Sequence, residues 1–303
     1  GTYYVLVKCN YMPAATPYTV LAEVLPFTVR EVQPNIAGDA GQTTFFVRGA
    51  LFDDATQFSL QQSNRTIDAQ SVYLADSTAA YVTFNLNGAP DGEWDFAATM
   101  TDSASNSVAT TLTNAVLVGD MDPVDADVSI DGPLAVREPS MANVIHSCLV
   151  DYGNSGYSDL APPLILVQSR DGTTLGTTLD NLQEKTIQLL GRSLVGPPDI
   201  LRPQSQASKI IYFRAGNDAH LSVWTLAADS TREITDADWQ DIENSVRPPG
   251  LGDADWLNFW VNIRPRLGNT FCESVQFLDR MAKDFPAEQR EVSAMFLSLY
   301  TNA

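Results

Sequence analysis

From Pro26 to Val118 no apolar pattern outlasts a single strand. Seven short runs follow one another: Phe27–Val32, Thr43–Arg48, Gln57–Gln61, Ser71–Leu74, Ala80–Asn85, Glu93–Met100 and Val108–Val118. They alternate, or carry β-branched and aromatic residues. Turn formers divide them: Pro34-Asn35, Gly38-Asp39-Ala40-Gly41, Asp53-Asp54, Asn87-Gly88 and Pro90-Asp91-Gly92. A strand that alternates has one apolar face, and that face must be buried against a second layer. Trp94 and Phe96, two residues apart, belong to the same face. The segment therefore reads as a two-layer β-sandwich.

The 303-residue length allows two or three domains of ordinary size, and 44% hydrophobic residues suffice for a core in each. Seven strands in about 90 residues is the count of an immunoglobulin-like sandwich. An acidic, proline-punctuated joint follows, Gly119–Pro133 (GDMDPVDADVSIDGP). Beyond it a second β run appears, with strands expected at Val144–Val150, Pro163–Gln168, Thr186–Leu190, Ser208–Ala215 and His220–Ala227. From Thr231 the period changes to that of helices. Thr235 can cap a first helix, with Ile234 and Trp239 as its staple, and Arg247-Pro248-Pro249-Gly250 ends it. Asp253 is expected to cap a second helix carrying Trp256, Phe259, Trp260 and Ile263, which Pro265 kinks or ends. Third and fourth helices are expected over Thr270–Asp284 and Pro286–Tyr300. The fold class is thus mainly β: two immunoglobulin-like sandwiches followed by a small helical unit. The divisions are an N-terminal hairpin over 1–25, a sandwich over 26–119, an acidic linker over 120–133, a sandwich over 134–230 and helices over 231–303.

Local motifs carry family resemblances. VREVQPNIAGDAGQTTFFVRGALFDDATQFSL, with its Gly49-Ala50-Leu51-Phe52 corner, resembles the IPT/TIG type of bacterial immunoglobulin-like module. VDYGNSGYSDLAPPLILVQS, with the Asn154-Ser155-Gly156 turn, resembles a CARDB-type adhesion module. The proline-led turn Asp199-Ile200-Leu201-Arg202-Pro203 fits the same family, with Gln204 where that family commonly has Gly. GTYYVLV resembles the closing strands of a pre-peptidase C-terminal sandwich, so residues 1–25 read as the tail of a preceding module. The tryptophan-rich helical tail is similar to segments that follow adhesion modules in very large bacterial surface proteins. These resemblances imply a secreted or cell-surface bacterial protein.

Composition narrows the function. The net charge is −19, from 37 acidic and 18 basic residues, and a field of that sign disfavours nucleic acid. It suits a solvated exterior. No apolar run reaches the roughly 20 residues of a membrane helix. The cysteines, Cys9, Cys148 and Cys272, are too dispersed for a zinc site and read as free thiols. His146 and His220 lie in strand patterns without a partnered carboxylate or cysteine. No nucleophile elbow, metalloprotease helix or phosphate loop is present, so no enzyme is expected and no organic cofactor. The five tryptophans sit where core residues belong. Asn64-Arg65-Thr66 is a sequon in form only.

The one candidate site is the joint. Asp120, Asp122, Asp125, Asp127 and Asp131 place five carboxylates in twelve residues, oxygen ligands of the kind Ca²⁺ takes, without EF-hand spacing. A structural Ca²⁺ there would stiffen the linker. The expected function is that of a non-catalytic structural or adhesive segment of a large surface or secreted protein. The alternative is an accessory, substrate- or matrix-binding region of a secreted hydrolase whose catalytic domain lies elsewhere. Expected partners are other protein modules or chains, through strand-mediated or helical contacts, with strand donation between chains a specific case.

Overall fold

Two sheets pack face to face over residues 28–119, and their strand order fixes the fold. In the computed structural model the described residues are 25–101, 106–121, 126–131, 135–136, 144–169, 173–179, 182, 186–193, 195–197, 200–214, 219–226, 233–248, 251–282 and 292–302. The first sheet holds β1 (Thr28–Gln33), β3 (Gln42–Ala50), β7 (Ala79–Asn85) and β6 (Ser71–Asp76), in that order. The second holds β2 (Ile36–Gly38), β9 (Ser107–Gly119), β8 (Gly92–Thr101), β4 (Gln57–Gln62) and β5 (Arg65–Asp68). Neighbours are antiparallel except β2 and β9, which run parallel. This is the immunoglobulin arrangement, in which the first strand divides itself between the two sheets. Alternation revealed the long strands but not β2 and β5, which have three and four residues.

Aromatic residues fill the space between these sheets. Phe45, Phe84, Phe96 and Trp94 are all 0% exposed. Phe84 meets Phe96 edge to face at 5.6 Å and Phe45 at 5.9 Å, arrangements that add to the gain from burial. The Trp94 indole N–H donates to Pro90 O at 3.1 Å, so its polar end is satisfied. The Gly49–Phe52 corner has a packing reason. A Cβ on Gly49 would strike Thr28 O and the Phe52 ring. Leu51 turns the corner at φ +64°.

The second sandwich sets β10 (Ala126–Asp131), β12 (Ile145–Asn154), β16 (Ser205–Arg214) and β14 (Thr174–Gly176) against β11 (Ala135–Val136), β17 (Ala219–Leu226), β13 (Leu164–Ser169) and β15 (Thr186–Leu190). Val150, Ile165, Val167, Leu175, Ile211 and Phe213 centre its core. The expected linker over 120–133 is corrected here: Ala126–Asp131 is strand β10, laddered to β12 from Ala126↔Asn154 to Asp131↔Leu149. Backbone pairing overrode a composition that reads as loop. Residues 1–24 of the expected hairpin lie outside the described residues.

The helices are α1 (Asp236–Val246), α2 (Asp253–Ile263), a 3-10 turn (Arg264–Leu267), α3 (Phe271–Ala282) and α4 (Val292–Thr301). Thr235 caps α1 in a reciprocal box with Asp238. The cap of α2 is Gly252, not Asp253, which is the first helical residue. Pro265 sits in the 3-10 turn that ends α2. The helices do not form a core of their own alone. Trp239, Trp256, Trp260, Val275, Met295 and Phe296 share one buried cluster with Leu164 of β13 and Leu190 of β15, the residues on the outer face of that sheet. The second half of the chain is therefore sheet on sheet with a helical layer on top. Among the described residues no helix is long and apolar enough to cross a membrane.

Candidate functional site

Of the five aspartates of the joint, Asp120, Asp127 and Asp131 are described, and these three do not gather into one ligand set. Asp120 is exposed just after β9. Asp122 and Asp125 lie outside the described residues. Asp127 and Asp131 are β10 residues, paired opposite Gly153 and Leu149. Four steps of strand separate their Cα atoms by about 14 Å, and two aspartates so placed cannot share an ion with oxygen ligands at about 2.4 Å. Among the described residues no three His, Cys, Asp or Glu come together. Asp53 is used locally, accepting from the Ala55 N–H at 3.1 Å and the Thr56 hydroxyl at 2.7 Å. The His146 ring stacks on Phe213 at 5.3 Å, and His220 is exposed. Cys148 and Cys272 are free thiols, and burial pushes Cys148 up to about 11. Trp94, Trp239, Trp256 and Trp260 are core residues.

What the fold does build is a polar contact between the two sandwiches, prepared by the sequence of the first. β1 ladders with β3 only as far as Gln33↔Phe46. Pro34 then offers no N–H, and the chain crosses to the other sheet as β2. The edge of β3 over Gln42–Thr44 is left without a strand from its own module. The second sandwich supplies one in the form of its 154–159 loop. The Asp159 N–H donates to Gln42 O at 2.7 Å, and the Thr44 N–H donates to Asp159 Oδ1 at 2.9 Å. The Thr44 hydroxyl donates to Asp159 Oδ2 at 2.7 Å, and the Gly38 N–H donates to Tyr157 O at 3.0 Å. Ser158 Oγ donates to Ala40 O. Thr43, Thr44 and Ser158 are buried at 0%, 0% and 2% exposure, so these bonds are shielded from water.

Asn154 shapes the loop that makes these bonds. Its side chain is fully buried. Nδ2 donates to Ser158 O at 2.8 Å and Leu201 O at 3.0 Å, while Oδ1 accepts from the Gly156 N–H at 2.9 Å. The Asn-x-Gly turn read from the sequence is thus an Asx turn that presents Tyr157–Asp159 outward. Gln204 reinforces it by donating from Nε2 to Ser155 O and Gly156 O. Gln204 has φ +55°, the left-handed conformation Gly adopts freely, which accounts for the Gly expected at that position.

A second contact lies on the outer face of the first sheet. Gly196 and the Arg202 guanidinium cover the Tyr81 ring, with Arg202 Cζ 4.9 Å from its centroid. Tyr81 is 6% exposed and is flanked by Phe46 at 5.0 Å and Tyr73 at 6.0 Å. Burial pulls Arg202 below its ordinary value, while Tyr81 and Asp159 act in the opposite sense. An open polar cleft remains between the modules, lined by Glu31, Gln33, Asn35, Arg202, Gln204 and Gln206. The sequence motifs contain Thr44 and Asp159 but do not reveal the contact, because each half of the interface reads locally as an ordinary turn.

No protein-family model and no curated protein matches this chain. Two of the solved structures that align with it differ widely in kind. One is a Ca²⁺-stabilized adhesin with which an Antarctic bacterium binds ice, at 14% identity and a TM-score of 0.24, covering 72% of this chain and 54% of the adhesin. The other is a marsupial T cell receptor, at 13% identity and a TM-score of 0.23, covering 68% of this chain and 93% of the receptor. Scores this low carry no argument, and the immunoglobulin-like assignment rests on the strand order.

Proposed function

We propose that this protein is a non-catalytic spacer and interaction segment of a bacterial surface or secreted protein. Its two sandwiches are held at a fixed angle to present outer faces and strand edges to other protein modules. The observation that carries this reading is the contact in which Tyr157–Asp159 of the second sandwich continue the β3 edge of the first at Thr44. A flexible string of beads would have no use for backbone bonds between modules. A spacer does, because its reach is set by the angle at each joint. The strand order supports the IPT/TIG-like reading of the first module, and the Asn154 turn supports the CARDB-like reading of the second.

The test is a distance measurement between spin labels at Ser71→Cys on β6 and Arg214→Cys on β16, both exposed positions, in a background with the native cysteines replaced. A single narrow distance distribution is expected. A broad distribution would overturn the spacer reading. Hydrolysis of a polysaccharide or peptide by the purified chain would overturn the non-catalytic one.

A further inference from the structure

The cleft between the sandwiches has two braced walls. One is the end of β1 and the corner after it, residues 31–35, where the Asn35 carbonyl accepts from the Leu117 N–H at 2.8 Å. The other is the turn into β16, residues 202–206. There Ser205 Oγ donates to Arg202 O, and Gln204 Nε2 donates to Ser155 O and Gly156 O. The bonds at Thr44 and the stack of Arg202 on Tyr81 tie one wall to the other. The space between them is about 590 Å³, the size of a small-molecule site. Because its walls are held before anything binds, little ordering remains to be done on binding.

The groups lining this space share one chemistry. Gln33, Asn35 and Gln206 are exposed side-chain amides, each with donors and an acceptor. Glu31 adds a carboxylate and Arg202 a guanidinium, so the lining charges cancel. Glu31 is already engaged, by Gln33 Nε2 at 2.5 Å and by Arg48 at 3.8 Å. Arg202 is short of acceptors: its Nε has none among the described residues. A charged donor left in this way marks a place that a bound group completes. An anion in the cleft would meet Glu31 and the field of a chain whose net charge is −19. A cation would meet Arg202. An apolar chain would strip water from the amides without replacing its bonds. Neutral hydroxyl groups incur none of these costs, since each both donates and accepts. The half-exposed Pro34 ring offers the C–H face of a sugar an apolar surface.

We infer that the cleft binds a neutral oligosaccharide, with Gln33, Asn35 and Gln206 bonding its hydroxyls and Arg202 donating to one of its oxygens. The ligand is a chain rather than a single sugar because the space continues. Gln204, Ser205 and Gln206 also line a second polar hollow, over β12 and β16, that reaches Asp151 and Ser208. Gln206 and Ser208 are exposed along it. The inference goes beyond the spacer reading but rests on it, because the two walls belong to different sandwiches.

Magnetic resonance of the isotope-labelled full chain tests this. Cellohexaose, maltohexaose and mannohexaose are titrated to about 10 mM, beside hexagalacturonate and hexaserine. At least one neutral sugar is expected to move the side-chain amide resonances of Gln33, Asn35 and Gln206. Asn35→Ala with Gln206→Ala is expected to weaken that binding by about tenfold or more, with an unchanged melting midpoint. Asp159→Ala, which loosens the joint, is expected to weaken it as well. The inference is overturned if no neutral sugar moves these resonances, if hexagalacturonate or hexaserine binds more tightly than they do, or if the double variant binds as the wild type does. Absence of binding with the spin-label distance still narrow refutes the sugar site alone, whereas a broad distance refutes the spacer.

Discussion

Replacing Asp159 with Ala is expected to loosen the joint between the sandwiches while leaving each one folded. Two bonds to Thr44 disappear, at 2.9 Å to the N–H and 2.7 Å to the hydroxyl. The hydroxyl retains Thr83 Oγ1 at 2.7 Å. The Thr44 amide has no such substitute, because β1 stops at the Gln33↔Phe46 pair and Thr44 is 0% exposed. An orphaned buried donor costs about 1–3 kcal/mol. The attraction between the half-exposed Asp159 and Arg202 adds no more than about 1 kcal/mol, since solvent screens it. The sum is about 2 kcal/mol, which corresponds to roughly thirtyfold in an opening equilibrium. Amide exchange followed by mass spectrometry reads it directly. Peptides covering 39–46 and 154–160 are expected to exchange about thirtyfold faster in the variant, with peptides from β8 and β16 unchanged. Asp159→Asn keeps an acceptor for the amide and is expected to show a much smaller effect. Exchange within a factor of two of wild type in both interface peptides would show that the contact does not hold the modules together.

Three more outcomes follow from the packing and the charges. Gly49→Ala places a methyl group against Thr28 O and the Phe52 ring. It is expected to destabilise the first sandwich by about 1–3 kcal/mol, seen as a lower denaturation midpoint reported by Trp94. Glu273 accepts the Asn269 and Thr270 N–H groups at 2.7 Å and 3.1 Å, which holds its carboxyl below its ordinary value. Its stabilising contribution is therefore complete near neutrality and lost as pH falls through the lowered value. Melting midpoints of the wild type and Glu273→Gln should differ at pH 7 and converge in acid, and a gap that widens in acid would contradict this sign. Asp127 and Asp131 stand about 14 Å apart on β10 and cannot share one ion, so replacing both with Asn is expected to leave the difference between melts in calcium and in EDTA unchanged. A calcium-dependent rise in the midpoint that these two substitutions abolish would overturn that expectation.

The sandwich strands were legible because each longer one repeats its apolar residues every second position. β8 is the clearest case, with Trp94, Phe96 and Ala98 all inward. The short strands were not legible. β2, β5, β11 and β14 have two to four residues, too few for a period, and they exist because a neighbour offers a ladder. β10 was masked by composition, since Asp127 and Asp131 read as loop. The helices showed in their 3.6-residue spacing, but the spacing could not reveal that Leu164 and Leu190 of the sheet complete their core. The interface was the least legible part. It depends on residues 115 positions apart, Thr44 and Asp159, and on an absence at Pro34 that matters only once β3 is in place.

The bonds between Thr44 and Asp159 also set how this protein answers a pull. The dock is a small set of hydrogen bonds at one edge of β3, whereas the ladder of β12 with β16 inside the second sandwich runs from Ile145↔Arg214 to Asn154↔Ser205. A force that draws the two modules apart meets the smaller set first. The joint then behaves as a fuse that yields before either sandwich does.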